Sequence, residues 1–103
     1  MRPIEFEILL ALAGGARHGY AIVQEKAARG GGTQVETGTL YRALQRLLEQ
    51  GLIADDGTRP GEDERRRYYA ITPAGRRAAS VEARRMAALV DGARAARLLE
   101  GTA

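Results

Sequence analysis

Two arginines one helical turn apart are the first residues here whose types and spacing could do chemistry. Arg42 and Arg46 stand in TLYRALQRLLEQ, and Arg65, Arg66 and Arg67 run together in DERRRYYAIT. The guanidinium is planar, always charged and two-pronged, which suits phosphate oxygens and the edge of guanine. Thr37, Thr39 and Tyr41 lie beside the first pair, and Tyr20 lies upstream in HGYAIV. Their hydroxyls are of the kind that bond a nucleic-acid backbone. Other chemistries lack parts. The chain has no Cys, which excludes disulfides, thiolate metal sites and Cys nucleophiles, and His18 is its one imidazole. A His-based metal cage or a Ser-His-Asp triad would need an unusual design. No catalytic residue, metal ligand or cofactor is expected.

Placement has to decide, because bulk charge does not. The net charge of the 103 residues is +3, with fifteen of the sixteen bases Arg. Yet residues 33–72, which hold all the arginines named above, come to −1, six Arg against seven acids. The length suits one domain. Hydrophobic residues make up 45% and charged residues 28%, the balance of a globular protein rather than a disordered tail. Aromatics are only 5%, so Ala and Leu must fill the interior, which favours closely packed helices. The longest apolar run, Ile8 to Ala13, is far short of the roughly 20 residues that span a bilayer. Glu5 and Glu7 in the first apolar stretch do not fit a signal peptide. The expectation is a cytoplasmic protein.

The elements that must position these groups can be read from periodicity and punctuation. Ile4, Ile8 and Leu12 recur every four residues, with Pro3 to open a helix and Gly14-Gly15 to stop it. A second helix starts near His18, which would hold the turn, and runs to Arg29 before Gly30-Gly31-Gly32. A third runs from Thr37–Thr39 to Gln50, with Gly51 as its stop. Leu40, Leu44, Leu47 and Leu48 share one face, with Thr39, Arg42, Gln45, Arg46 and Glu49 opposite. Leu52 to Ala54 and Arg67 to Thr72 read as the two strands of a β-hairpin, with Tyr69 and Ile71 facing inward. Thr72-Pro73 then caps and opens a last helix that reaches about Leu99. That helix carries two apolar stripes. One is Ala79, Ala83, Met86, Val90 and Ala93; the other, nearly opposite, is Val81, Ala88, Ala95 and Leu99. Two stripes imply burial from two directions, and a second copy of the chain is the plausible second partner.

Three helices, a hairpin and a long helix give the order of a winged helix-turn-helix: mainly α, with a small β-hairpin as the wing. Within that frame ILLALAGGARHGYAIVQE (Ile8 to Glu25), TGTLYRALQRLLEQGLI (Thr37 to Ile53) and DERRRYYAITPAGRR (Asp63 to Arg77) resemble the PadR family of bacterial transcriptional regulators. The resemblance covers most of Ile8 to Arg77 and is closest to the family's shorter branch, with one helix after the wing. It implies a DNA-binding unit over 1–72 and a C-terminal dimerisation helix over 73–103. It also implies a homodimeric repressor on a palindromic, double-stranded DNA operator, under the control of a small molecule in some members. Any ligand site near the dimer helices would be lined by Ala, Leu, Met86 and Val90, with Phe6.

On this reading the DNA contacts are Tyr20, Thr37, Thr39, Tyr41, Arg42, Arg46, Arg65 and Arg66, and the dimer contacts are Ala79, Ala83, Met86, Val90 and Ala93. Plainer roles stand beside these. Thr37 and Thr39 are good helix caps in any protein. Tyr20 has phosphate bonding and packing equally open to it, and Tyr41 sits at the edge of the apolar face. Arg65 to Arg67 follow Glu62-Asp63-Glu64, so local pairing competes with DNA contact. The rival of a different class is a winged-helix protein-interaction module without sequence-specific DNA binding, which the −1 of residues 33–72 favours and the Arg-bearing helix face disfavours. A small enzyme would have to work with carboxylates alone.

Overall fold

Pro3 occupies the first turn of α1 (Pro3–Leu12), where its missing N–H costs nothing. The computed structural model describes residues 1–28 and 37–100, with backbone alone at 25–28 and 37. After α1 come β1 (Arg17–His18), α2 (Gly19–Ala28), α3 (Thr37–Glu49), β2 (Ile53–Asp55), β3 (Tyr68–Ile71) and α4 (Pro73–Ala95). Arg29 and the Gly30–Gly32 break lie outside the described residues.

The core lies where the three short helices meet the sheet. Ile8, Leu9 and Leu12 of α1, Ile22 of α2, Leu40, Ala43, Leu44 and Leu47 of α3, and Ile53 of β2 are fully or almost fully buried. Each large aliphatic side chain among them is worth about 1.5–3 kcal/mol when withdrawn from water. Leu48, Tyr69 and Ile71 pack around that cluster half-buried, so the inward face expected for Tyr69 and Ile71 is the one observed. Ala43, which the Leu face did not include, is fully buried in the same cluster.

The hairpin is part of a three-stranded antiparallel sheet of order β1-β3-β2. Ile53 pairs with Ile71, Ala54 with Ala70 and Asp55 with Tyr69, as the hairpin reading requires. The added strand is Arg17–His18, paired with Tyr69 and Tyr68. Two residues between a glycine stop and a helix start are too few to show a periodicity, and the ladder comes from β3 offering its second edge.

Both amphipathic helices end in the same way. Gly51 turns left-handed at φ 71°, and Leu52 N–H returns to Leu47 C=O at 3.0 Å. At the end of α4 it is Arg97 that takes φ 63°, and Leu98 N–H returns to Ala93 C=O at 2.9 Å. The last helix thus stops at Ala95, not near Leu99. The left-handed turn falls on a residue that does not advertise it. The other end of α4 is as expected: Thr72 Oγ1 accepts from Gly75 N–H at 3.0 Å and donates to Gly51 C=O at 2.7 Å. A Cβ on Gly75 would lie 2.0 Å from the Leu52 carbonyl oxygen, so only glycine lets α4 leave the sheet this close to β2.

Candidate nucleic-acid interface

The first turns of α2 and α3 come together, and these helix starts carry five of the residues expected to meet DNA. His18 Nδ1 accepts the Ala21 N–H at 3.3 Å and so caps α2, the turn-holding role expected of it. Its ring also meets Tyr68 edge-on, with centroids 5.2 Å apart. Gly19 follows, and a Cβ there would lie 2.8 Å from the Tyr41 phenol oxygen. Tyr41 of α3 therefore rests over the first turn of α2, 49% exposed, and Tyr20, which follows Gly19 in that turn, is 62% exposed. Arg42 folds back along α3, with Nη2 donating to Thr39 Oγ1 at 3.2 Å. A Cβ on Gly38 would come within 3.3 Å of its Nη1. The result is a polar, hydroxyl-rich face with one exposed guanidinium at the start of α3, backed by the buried leucines. The side chain of Thr37 lies outside the described residues.

Arg46 is placed differently. The helical wheel puts it on the outer face with Arg42, but its Nε donates to Glu5 Oε2 of α1 at 3.2 Å. Glu5 is buried, and burial would raise its pKa. The Arg2 N–H on its other oxygen (2.8 Å) and the Arg46 guanidinium outweigh that, and the carboxyl ends below its ordinary value. Arg46 is thus turned toward α1.

The wing between β2 and β3 pairs most of its own charge. Arg65 holds Asp63 at 3.0 Å, Arg67 holds both oxygens of Asp55 at 2.9 Å, and Arg59 holds Asp56 at 2.9 Å. Hydrogen bonds from Gly57 N–H and then Arg67 keep the Asp55 carboxyl below its usual range. The Arg65 side chain and N–H do the same for Asp63. Arg59 also lies over the Tyr68 ring, 4.0 Å from its centroid, while the Tyr68 hydroxyl donates to Glu62. Arg66 is the exception: no acid holds its guanidinium among the described residues. The competition between pairing and DNA contact foreseen for the three wing arginines thus falls unevenly: Arg65 and Arg67 hold ion pairs, while the Arg66 guanidinium acts on Asp63 only through space.

Against known proteins, a family model described as the transcriptional regulator PadR-like family matches residues 8–81. The chain belongs to that family. A transcriptional regulator of Mycobacterium tuberculosis is 36% identical over 81 residues, covering 79% of this chain and 73% of that one. An uncharacterised 37.1 kDa transposon protein of Streptomyces fradiae is 41% identical over 77 residues, and the match covers 21% of its length. Among solved structures, a PadR family regulator of Clostridium difficile superposes with a TM-score of 0.77 at 22% identity, covering 88% of this chain and 94% of that one. Bacillus subtilis PadR in complex with operator DNA gives 0.64 at 23% identity, covering 77% and 45%. These two show the fold: a PadR-type winged helix with a small three-stranded sheet.

Within this PadR-like chain, the dimer residues expected from the stripes lie along α4. Ala79 packs against the chain's own core, Ala83 opens onto a groove, Met86 and Ala93 are half-buried, and Val90 is 41% exposed. The groove, about 200 Å³, runs between α1 and α4 and is lined by Phe6, Leu9, Leu10, Ile71, Ala79 and Ala83. Two contributors escaped the sequence reading. Gly19 seats Tyr41, and Glu5 holds Arg46. An acid at the third helical position is the usual signal of a reciprocal helix cap, and it was visible for Glu5; its partner 41 residues away was not.

Proposed function

We propose that this PadR-like regulator is a repressor that binds a palindromic operator as a homodimer, each subunit laying α3 in a major groove. The observation that carries the reading is the polar face at the start of α3. Thr39, Tyr41 and Arg42 lie at the start of a helix whose back is held by the buried Leu40, Leu44 and Leu47, with Tyr41 against Gly19 of α2. A helix so braced fits the roughly 12 Å groove, and one exposed arginine can take the two acceptors of a guanine. Thr37 and the backbone amides of the helix start would meet phosphate. On the wing Arg66 can contact the backbone directly, while Arg65 there and Arg46 on α3 would first have to leave their carboxylates. Bacillus subtilis PadR, whose fold this chain shares, has been captured in complex with operator DNA.

Residues 73–103 supply the dimer contact in this reading. Past Ala83 the helix has little of its own chain to cover it: Leu89 and Val90 are exposed. Met86, Val90 and Ala93 would meet the second copy, with Ala79 and Ala83 at the edge of the groove. A small apolar effector acting there would change the spacing of the two reading helices. No helix among the described residues is long and apolar enough to cross a membrane, and we place the regulator in the cytoplasm with its DNA. Nothing in the reading calls for catalysis. A gel shift with the DNA upstream of its own gene tests it. Retardation of that duplex at salt where a scrambled duplex runs free is expected. Equal behaviour of both, with the protein folded, would instead favour a protein-interaction module.

A further inference from the structure

Glu5 is the one charged side chain buried among the described residues, with 6% of the residue exposed. A carboxylate taken out of water is tolerated only where hydrogen bonds replace the lost hydration. Both of its oxygens have such bonds. Oε1 takes the Arg2 N–H where α1 begins, at 2.8 Å, and Oε2 takes Arg46 Nε in the last turn of α3, at 3.2 Å. The pair spans 41 residues of sequence and joins α1 to the helix that carries Arg42. Stability alone does not call for such a pair, because a well-packed apolar contact commonly does as well. What a buried ion pair adds is direction: it fixes where one guanidinium points and how one helix is rolled against another.

We infer that Glu5 is a positioning residue for operator recognition, acting through Arg46. Its carboxylate holds the Arg46 guanidinium against α1, sets the roll of α3, and leaves base reading to Arg42. The inference rests on the DNA-binding reading above. Without the Glu5 charge, Arg46 becomes a mobile cation on the flank of α3. A cation on a long flexible stem finds phosphate on any sequence. Affinity for random DNA then rises while the preference for the operator falls.

The test uses full-length protein and two duplexes: one enriched by the wild type from a random-sequence pool, and a scrambled duplex of the same composition. For Glu5→Gln, which keeps the shape of the side chain, the operator-to-scrambled ratio should fall about tenfold. The salt slope on the scrambled duplex should steepen by about 2 per dimer, one new phosphate contact per subunit. In the Glu5→Gln/Arg46→Gln double variant that slope should return to the wild-type value, a result that mere loosening of the fold would not give. Arg46→Lys, still able to pair with Glu5, should keep the ratio within about threefold of wild type. Two results would overturn the inference: an unchanged ratio and slope in Glu5→Gln, or loss of operator preference in Arg46→Lys while Glu5→Gln keeps it. If the wild type enriches no sequence at all, the DNA reading itself fails and the inference falls with it.

Discussion

The helices α3 and α4 are both amphipathic, and they differ in where the burial is completed. In α3 the apolar side is used up within the chain, with Leu40, Leu44 and Leu47 fully or nearly fully buried, and the face left over is polar. In α4 the first turns are covered, by Leu52, Ile71 and α1, and farther along Val81, Leu89 and Val90 stay exposed among arginines such as Arg84 and Arg85. A leftover polar face with an exposed guanidinium asks for an anion, and a leftover apolar face asks for protein. One chain thus presents two kinds of unfinished surface, on two different helices. The molecule is correspondingly elongated, 51 × 29 × 22 Å.

The comparison breaks most completely at the root of α4. Gly75→Ala places a methyl 2.0 Å from the Leu52 carbonyl oxygen, which is backbone and cannot step aside cheaply. The expected loss is about 3 kcal/mol or more, the upper range for overpacking, read by chemical denaturation. A change under 1 kcal/mol would mean that α4 is not anchored at β2. The next effect is on association. Met86→Asp should leave the fold of residues 1–72 intact and weaken the dimer by about 2–3 kcal/mol, because a carboxylate would be buried without a partner. Sedimentation against concentration checks it, and a wild type that stays monomeric at micromolar concentration would remove the basis for the second surface.

How much of this was legible depended on how local the cause was. The Leu spacing of α3, the Gly51 stop and the Thr72-Pro73 start are each decided within a few residues, and each stands where the sequence placed it. The strand Arg17–His18 was not legible, because it exists only through pairing with Tyr68 and Tyr69, some fifty residues away. The end of α4 was not legible either, since Arg97 takes a left-handed turn that glycine would have announced. At the candidate site the same division holds. Arg42, Thr39 and Tyr41 follow from helix periodicity, whereas the diversion of Arg46 to Glu5 needs the packing of α1 against α3.

On the reading helix the expected effect is moderate and specific. Arg42→Ala should cost about 1–3 kcal/mol on the operator and bring its affinity toward that for random DNA. Competition titrations with operator and scrambled duplexes decide it, and equal losses on both would make Arg42 a phosphate contact. The half-buried pair between α1 and α3 gives a pH signature. Glu5 has its folded pKa below the ordinary 4.5, so its stabilisation is present above that value and is lost as pH falls through the folded pKa. Melting temperatures of wild type and Glu5→Gln, taken from about pH 5 down to about pH 3, should therefore converge. Parallel curves would show that Glu5 titrates alike in the folded and unfolded chain.

The smallest effects are expected on the wing, where they sharpen the contrast between an arginine outside any close ion pair and a paired one. Arg66 has no acid on its guanidinium among the described residues, whereas Arg67 lies across both oxygens of Asp55 at 2.9 Å. An exposed pair of this kind contributes little to stability, but it makes the arginine a poorer phosphate ligand, because Asp55 must be left behind or carried toward the DNA. Arg66→Ala should thus weaken operator and scrambled duplexes by the same small factor and lower the salt slope by about 2 per dimer, one phosphate per subunit. Arg67→Ala should change the slope by less than half of that, since it removes a cation already neutralised and leaves Asp55 to repel the backbone. The measurement is binding to both duplexes across a salt series. If Arg67→Ala flattens the slope more than Arg66→Ala does, the wing opens its ion pairs on DNA, and the pairing seen without DNA is not the arrangement that binds.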